Sequence, residues 1–397
     1  MMMHREATYD VIIIGAGAAG LMCALTAGHR GKRVLVIDHA ERPGKKIMSS
    51  GGGKCNFSNM EIAAKHYLSA NPHFCKSAIG RFDVHEFLAL IYAHEIDFEE
   101  RDHGQLFCTG SAAQVVNMLL DECGQAGVTL RLNSSARIEK ADQGFRVRVA
   151  NQSLACHSLV VATGGLAYPK LGATDFGYRV AEQFGLSVIP PLPGLTGLLY
   201  SSSDRKRLEG LSGIALEAEL KCGAVDFRGA LLFTHRGISG PVTLQLSNYW
   251  QPGASVQVNL LPGIDLAALL TGEKRRHPKA EIRTLLAAHL PKRLIQAFLP
   301  SGTVKEKPIG EWKDVEVEAL ALQFQCWTFL PARAADFEKA EVTRGGVDVR
   351  AISSKTFEVK TVKGLYFIGE VLDVTGWLGG YNLHWAWASG HCAGQAV

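Results

Sequence analysis

Three features of the sequence predict an α/β fold: a Rossmann-like dinucleotide-binding domain, interrupted by a β-rich region that itself carries a helical insert. Residues 9–38, YDVIIIGAGAAGLMCALTAGHRGKRVLVID, read as strand, glycine turn, helix and strand in one unit. Past Pro190, Pro191 and Pro193 the composition turns to short strands, and over 263–324 to helices. The chain then returns to a buried strand at GLYFIGE, 364–370, followed by a glycine-rich helix start.

The first unit sets the chemistry. Val11, Ile12, Ile13 and Ile14 are β-branched and suit a strand buried on both faces. In the turn GAGAAG, Gly15 permits the tight bend, Gly17 lets backbone approach a pyrophosphate, and Gly20 lets the new helix lie close on the strand, with Ala16, Ala18 and Ala19 between them. The helix start offers unpaired N–H groups and a dipole of roughly half a positive charge to the phosphates. The returning strand, 34–37, ends on Asp38, whose carboxylate can take both hydroxyls of an adenosine ribose, with His39 beside it. This unit alone does not separate FAD from NAD.

Composition frames what surrounds it. A chain of 397 residues with 47% hydrophobic and 20% charged residues is expected to form two or three compact units. No apolar run reaches the roughly 20 residues that cross a bilayer, and a cytoplasmic protein without a membrane partner is expected. The nine cysteines form no C-x-x-C pair or zinc-like cluster, so neither disulfides nor metal are expected. A net charge of +4 says little about nucleic acid by itself.

Residues 39–59, HAERPGKKIMSSGGGKCNFSN, read as a loop in which Lys46 and the run Gly51, Gly52, Gly53 can approach an anion or a planar ring, followed by Lys54 and Cys55. Helices are expected at 83–94 and 112–126, with an extended stretch over 96–109. Short strands at 128–131, 136–141, 145–149 and 153–156 suggest an antiparallel excursion returning to the main sheet at 159–162. That strand ends in Ala162, Thr163, Gly164 and Gly165, small residues at the carboxyl end of the sheet, where open α/β sheets bind ligands.

Strands at 196–200, 213–220, 224–233 and 255–259 suggest a small β-barrel, with a polar turn at Thr234, His235, Arg236 and Gly237 before a helix. Helices follow at 265–270, 278–290, 292–298 and 312–324. Between 273 and 307, nine basic residues (Lys274, Arg275, Arg276, Lys279, Arg283, Lys292, Arg293, Lys305, Lys307) meet three acids, giving +6. Such a run is either a solvated face or a phosphate-tracking surface.

The C-terminal return decides the cofactor. A last strand at 365–368 ends on Gly369 and Glu370, followed by Asp373, then Gly379 and Gly380, then a helix opening with Tyr381, Asn382 and Leu383. In FAD-binding Rossmann folds such a strand delivers an acid to the ribityl chain, and the next helix points its N-terminus at the flavin pyrimidine, where its dipole favours negative charge. An NAD dehydrogenase needs no such return. FAD is the expected cofactor, and with one dinucleotide unit NAD(P)H would visit only transiently as electron donor.

The segments GKKIMSSGGGKCNFSN, ATGGLAYPKLGATDFGY, LFTHRGISGP and GLYFIGEVLDVTGWLGGYNLHWAWASG resemble the YhiN-like flavoproteins, which include the BaiN-type proteins. The resemblance implies an FAD-binding domain over 1–190 and 351–397, a β-barrel domain over 191–262 and 325–350, and a helical domain over 263–324. Two departures stand out: TFEVK at 356–360, and His384 where relatives tend to carry Gln. The family is connected with dihydrouridine formation in 23S ribosomal RNA and with bile-acid reduction. The first fits the basic insert, which would bind ribosomal RNA; a reductase of a small enone-like metabolite and a non-catalytic flavin-bearing redox sensor are the alternatives. Uracil reduction needs a hydride at C6 and a proton at C5. Cys55, with Lys54 favouring its thiolate, is the expected proton donor, although a small buried hydrophobe is an equal reading of that cysteine. His235 is the substitute, with Arg236 or Lys54 holding the carbonyl charge.

Overall fold

The computed structural model describes residues 7–141, 144–299 and 307–397. The chain folds as two compact units, one formed by residues up to Pro193 together with Glu341–Val397, the other by Gly194–Ala340.

In the first unit β1 (Ala7–Ile14) leads through the glycine turn into α1 (Ala18–His29), and β2 (Val34–Ile37) returns parallel to β1. Then come α2 (Lys45–Ser49), β3 (Thr129–Arg131), β4 (Gln152–Val161), β5 (Val342–Val347), β6 (Leu365–Phe367) and the closing helix α3 (Tyr381–Gly394). The main sheet runs in the order β3, β2, β1, β4, all parallel, and β6 joins β4 in the same sense. β1, β2 and β6 have no exposed position between Val11 and Ile14, Val34 and Ile37, or Leu365 and Phe367, as sheets covered on both faces require.

Two expectations are corrected here. The 128–131 strand is a parallel edge strand of the main sheet, because it pairs with β2 and takes no part in the antiparallel excursion. The strands read at 153–156 and 159–162 are one strand, β4: its first half pairs antiparallel with Phe145–Val149 and its last residues pair parallel with β6.

The expected loop 39–59 is also more ordered than its glycines suggested. Gly44 adopts φ 67°, starts α2, and donates its N–H to the Ala16 carbonyl at 2.9 Å. Gly51 and Gly52 take left-handed conformations within a tight turn over Ser50–Gly53, and Asn56–Asn59 then pairs antiparallel with Gln105–Cys108. Each left-handed step reverses the chain where a side chain with a Cβ would be strained.

The second unit holds one seven-stranded sheet in the order 327–329, 256–259, 215–222, 225–233, 237–239, 198–199, 333–334. Its end strands are not paired with each other among the described residues. The helices Leu266–Arg276, Ile282–Ala287, Lys292–Phe298 and Asp314–Gln325 share this sheet's core: Leu270, Phe298 and Phe324 belong to one cluster with Leu220 and Phe233. The helical segment thus has no separate core. Residues 341–350, expected with the barrel, lie in the first unit, where Thr343 binds the 166–167 turn and Glu370.

Candidate functional site

The phosphate turn is built by close backbone approach. A Cβ on Gly20 would sit 1.9 Å from the Gly15 carbonyl oxygen, and one on Gly15 would sit 2.3 Å from that of Ala162, so α1 and β4 crowd the turn from both sides. A Cβ on Gly17 would meet nothing within 4 Å. Gly17 is therefore bare toward open space at the start of a 12-residue helix, as a bound pyrophosphate requires.

Asp38, at the end of β2, is aimed by the turn. One carboxylate oxygen accepts the Ala16 N–H at 2.6 Å and the other accepts the Ala40 N–H at 2.7 Å. A carboxylate offers about four lone-pair sites, so one on each oxygen is left for a pair of vicinal hydroxyls. His39 Nε2 lies 3.0 Å from the Gly172 carbonyl and ties the Asp38 loop to the 168–172 turn.

The C-terminal return meets this edge. Gly369, with φ 73°, packs over α1, where a Cβ would come 2.8 Å from that of Ala19. Glu370 lies between two partners: Oε2 is 2.5 Å from Lys46 Nζ, and Oε1 accepts the Thr343 N–H at 2.9 Å. Gly165 approaches so closely that a Cβ there would strike the Thr343 hydroxyl at 2.4 Å, and Gly164 adopts φ 71°. α3 lies on α1 through Gly390 and Gly394, whose added Cβ atoms would come within 2.5–2.8 Å of Ala19, Cys23 and Thr26 atoms. Its first-turn N–H groups, from Tyr381 to Leu383, have no partner within the helix.

The residues fit FAD on two observations of the structure itself. The Gly17 and Gly52–Gly53 backbones face open space. The Thr163 and Tyr178 hydroxyls are buried without a hydrogen-bonding partner among the described residues. Buried orphan hydroxyls are costly and mark where a ligand's polar atoms would belong.

Several expected site residues serve other ends. Asp373 is buried, which raises its carboxyl, and it accepts the Ala70 N–H at 2.7 Å. The Asn382 side chain binds Gly376 and Trp377, and Gly379 and Gly380 close against Gln105 and Ser58. These four shape the turn before α3 through their own packing. His384, the departure from Gln, is fully buried with Nε2 3.1 Å from the Phe82 carbonyl and Nδ1 2.9 Å from Ser58 Oγ. Facing a carbonyl, Nε2 must carry the proton, so Nδ1 accepts from the hydroxyl and the ring is neutral. Burial lowers its pKa to about 4.

The expectation for Cys55 is corrected. The residue is fully buried, with φ 52°, and burial pushes its thiol up to about 12, against a weaker opposing hydrogen bond from Ser50. Lys54, expected to favour a thiolate, donates instead to the Thr109 carbonyl at 2.6 Å. Cys55 is packed as a small hydrophobe. His235 and Arg236 are exposed in the second unit, in the turn between Val225–Phe233 and Gly237–Ser239.

The basic insert is largely neutralised. Lys274 pairs with Asp314 at 2.8 Å, Lys307 with Glu316 at 2.9 Å and Arg276 with Glu273 at 3.2 Å, while Arg293 donates to the Gly210 carbonyl and Arg283 to that of Leu299. Lys305 lies outside the described residues. Over 263–324 ten basic residues meet eight acids, because Glu311, Asp314, Glu316 and Glu318 follow the basic run. Arg275, Lys279 and Lys292 remain outward-facing. Among the described residues no helix is long and apolar enough to cross a membrane, and no cluster of three His, Cys, Asp or Glu could hold a metal ion.

Comparison with known proteins adds three relatives. Residues 9–396 match the family described as HI0933-like protein Rossmann domain. The chain is 46% identical over 389 residues to the ribosomal RNA dihydrouridine synthase of Escherichia coli (strain K12), covering 98% of this chain and 97% of that one. It is also 46% identical over 393 residues to the ribosomal RNA dihydrouridine synthase of Haemophilus influenzae (strain ATCC 51907 / DSM 11121 / KW20 / Rd), covering 97% and 98%. A 3-dehydro-bile acid delta(4,6)-reductase of Clostridium scindens (strain ATCC 35704 / DSM 5676 / VPI 13733 / 19) is 29% identical over 403 residues, covering 97% and 98%.

Proposed function

We propose, from the premise that the chain belongs to the HI0933-like Rossmann-domain family, that this enzyme is an FAD-dependent oxidoreductase that reduces a uridine of 23S ribosomal RNA to dihydrouridine with electrons from NAD(P)H. The observation that carries the cofactor is that one unit combines a phosphate turn, bare at Gly17, with a terminal strand that brings Glu370 against Lys46. The substrate class is supported by the two relatives named as ribosomal RNA dihydrouridine synthases.

When bound, FAD supplies the hydride for C6 of the uracil ring. The chain's own residues bind and orient. The N-terminus of α1 receives the pyrophosphate at Gly17, Asp38 takes the adenosine ribose hydroxyls, and Glu370 takes ribityl hydroxyls while Lys46 keeps it ionised. The N-terminus of α3 favours negative charge near the flavin pyrimidine. Arg275, Lys279 and Lys292 supply phosphate contacts, fewer than the nine basic residues of the run.

The test is to reduce the purified holoprotein anaerobically with NADPH or NADH and to mix it with 23S ribosomal RNA lacking the modification. The flavin should reoxidise while dihydrouridine forms in the RNA. A second reading, reduction of a small enone-like metabolite, is favoured by the relative named as a bile-acid reductase. A flavin that stays reduced with RNA but reoxidises with an unsaturated ketone would replace the first reading with the second.

A further inference from the structure

Glu341 precedes β5, where the chain re-enters the first unit, and no motif marked it in the sequence. In extended chain, residues two apart point to the same side. Glu341 therefore shares a side with Thr343, whose hydroxyl accepts the N–H groups of Leu166 and Ala167 at 2.7 and 3.1 Å. That side looks onto the turn running to Tyr168, whose phenol feels the charge of both Glu341 and Glu370. Lys46 Nζ lies 5.7 Å from the Tyr168 ring centroid and 2.5 Å from Glu370. Two carboxyls, one ammonium and one phenol thus share the carboxyl edge of β4 and β6.

The two carboxyls are held differently. Glu370 is ion-paired to Lys46 and hydrogen-bonded to Thr343. Glu341, half-buried, has no hydrogen-bonding partner for its carboxyl among the described residues. Burial raises its pKa, and the nearby Lys46 opposes that only in part. Paired carboxyls pushed apart in this way divide acid and base roles between them.

We propose that Glu341 is the general acid of the reaction, delivering its carboxyl proton to C5 of the uracil ring. This rests on the reaction proposed above. The C5=C6 double bond takes a hydride at C6, whose two electrons come ultimately from NAD(P)H, and the Glu341 proton at C5. Glu341 is left as a carboxylate, which Lys46 stabilises until solvent returns a proton. The groups facing it are Lys46 on α2, Tyr168 on the turn, and Glu370 behind Lys46.

The test compares wild type, Glu341→Gln and Glu341→Asp as purified holoproteins. Difference infrared titration should show a protonated carboxyl that persists above the usual glutamate range in wild type and is missing from Glu341→Gln. NAD(P)H should reduce the FAD of Glu341→Gln at the wild-type rate, while reoxidation by ribosomal RNA slows by ~10²–10⁴-fold, the usual size of a general-acid contribution. Glu341→Asp should recover part of that rate. A merely structural role would instead lower FAD content in both variants. If wild type makes dihydrouridine and Glu341→Gln reoxidises within threefold of it, or if the infrared band is unchanged, Glu341 is not the acid and the function stands. If wild type makes no dihydrouridine, the function falls and the proposal falls with it.

Discussion

Removing the Asp38 carboxylate should strip the cofactor while leaving the fold recognisable. In Asp38→Ala two charge-assisted bonds to ribose hydroxyls disappear, each worth about 1.5–3 kcal/mol. At about 1.4 kcal/mol per decade, that weakens FAD binding by roughly 10²–10⁴-fold. The same substitution orphans the N–H groups of Ala16 and Ala40. Ala16 is buried, so the apoprotein should lose about 1–3 kcal/mol of stability as well. Asp38→Asn separates the two effects, since it keeps the shape and one acceptor. Titrating deflavinated protein with FAD and following flavin fluorescence measures the affinity, and urea unfolding of the apoprotein measures the fold. A dissociation constant for Asp38→Ala within threefold of wild type would refute the ribose assignment.

Cys55→Ala should keep its FAD and turn over within about threefold of wild type, because the thiol is packed and reaches no substrate; a loss of 10²-fold in reoxidation with full FAD content would restore it as the acid. His384 is held neutral by burial, with its pKa lowered to about 4, so between about pH 6.5 and 4 the unfolded chain binds a proton that the folded chain refuses, and stability falls with pH by up to about 3 kcal/mol. His384→Gln can keep both hydrogen bonds, and urea midpoints measured across that window should lose this slope. Replacing Arg275, Lys279 and Lys292 together by Gln should flatten the log–log salt dependence of RNA binding by about 0.7–0.9 for each phosphate no longer neutralised, without changing FAD affinity; an unchanged slope would make the insert a solvated face.

What could be read from the sequence was what is local in it. Gly15, Gly17, Gly20 and Asp38 lie within one strand–helix–strand unit, and their roles follow from turn geometry that any such unit must satisfy. Glu370 was visible as an acid ending a buried strand, but its partner Lys46 is 324 residues away and only the fold brings them together. Glu341 carried no signal at all, since a lone acid before a strand is ordinary and its meaning comes from Lys46 and Tyr168. Cys55 misled because Lys54 adjoins it in sequence, while φ 52° at Cys55 turns the thiol inward and Lys54 reaches Thr109. The basic run misled for a related reason: the acids that pair with Lys274 and Lys307 come immediately after it in the chain. The helical segment looked like a domain by composition, yet Phe298 lies 5.4 Å from Phe324 and 5.2 Å from Trp327, inside the sheet's own core.

The central claim is a chemical change in one RNA, and nucleoside mass spectrometry of 23S ribosomal RNA reads it directly. Cells lacking this protein should have lost dihydrouridine from that RNA, and it should return when the wild-type chain is supplied but not when Asp38→Ala is supplied. Dihydrouridine at an unchanged level in the deleted cells would contradict the account.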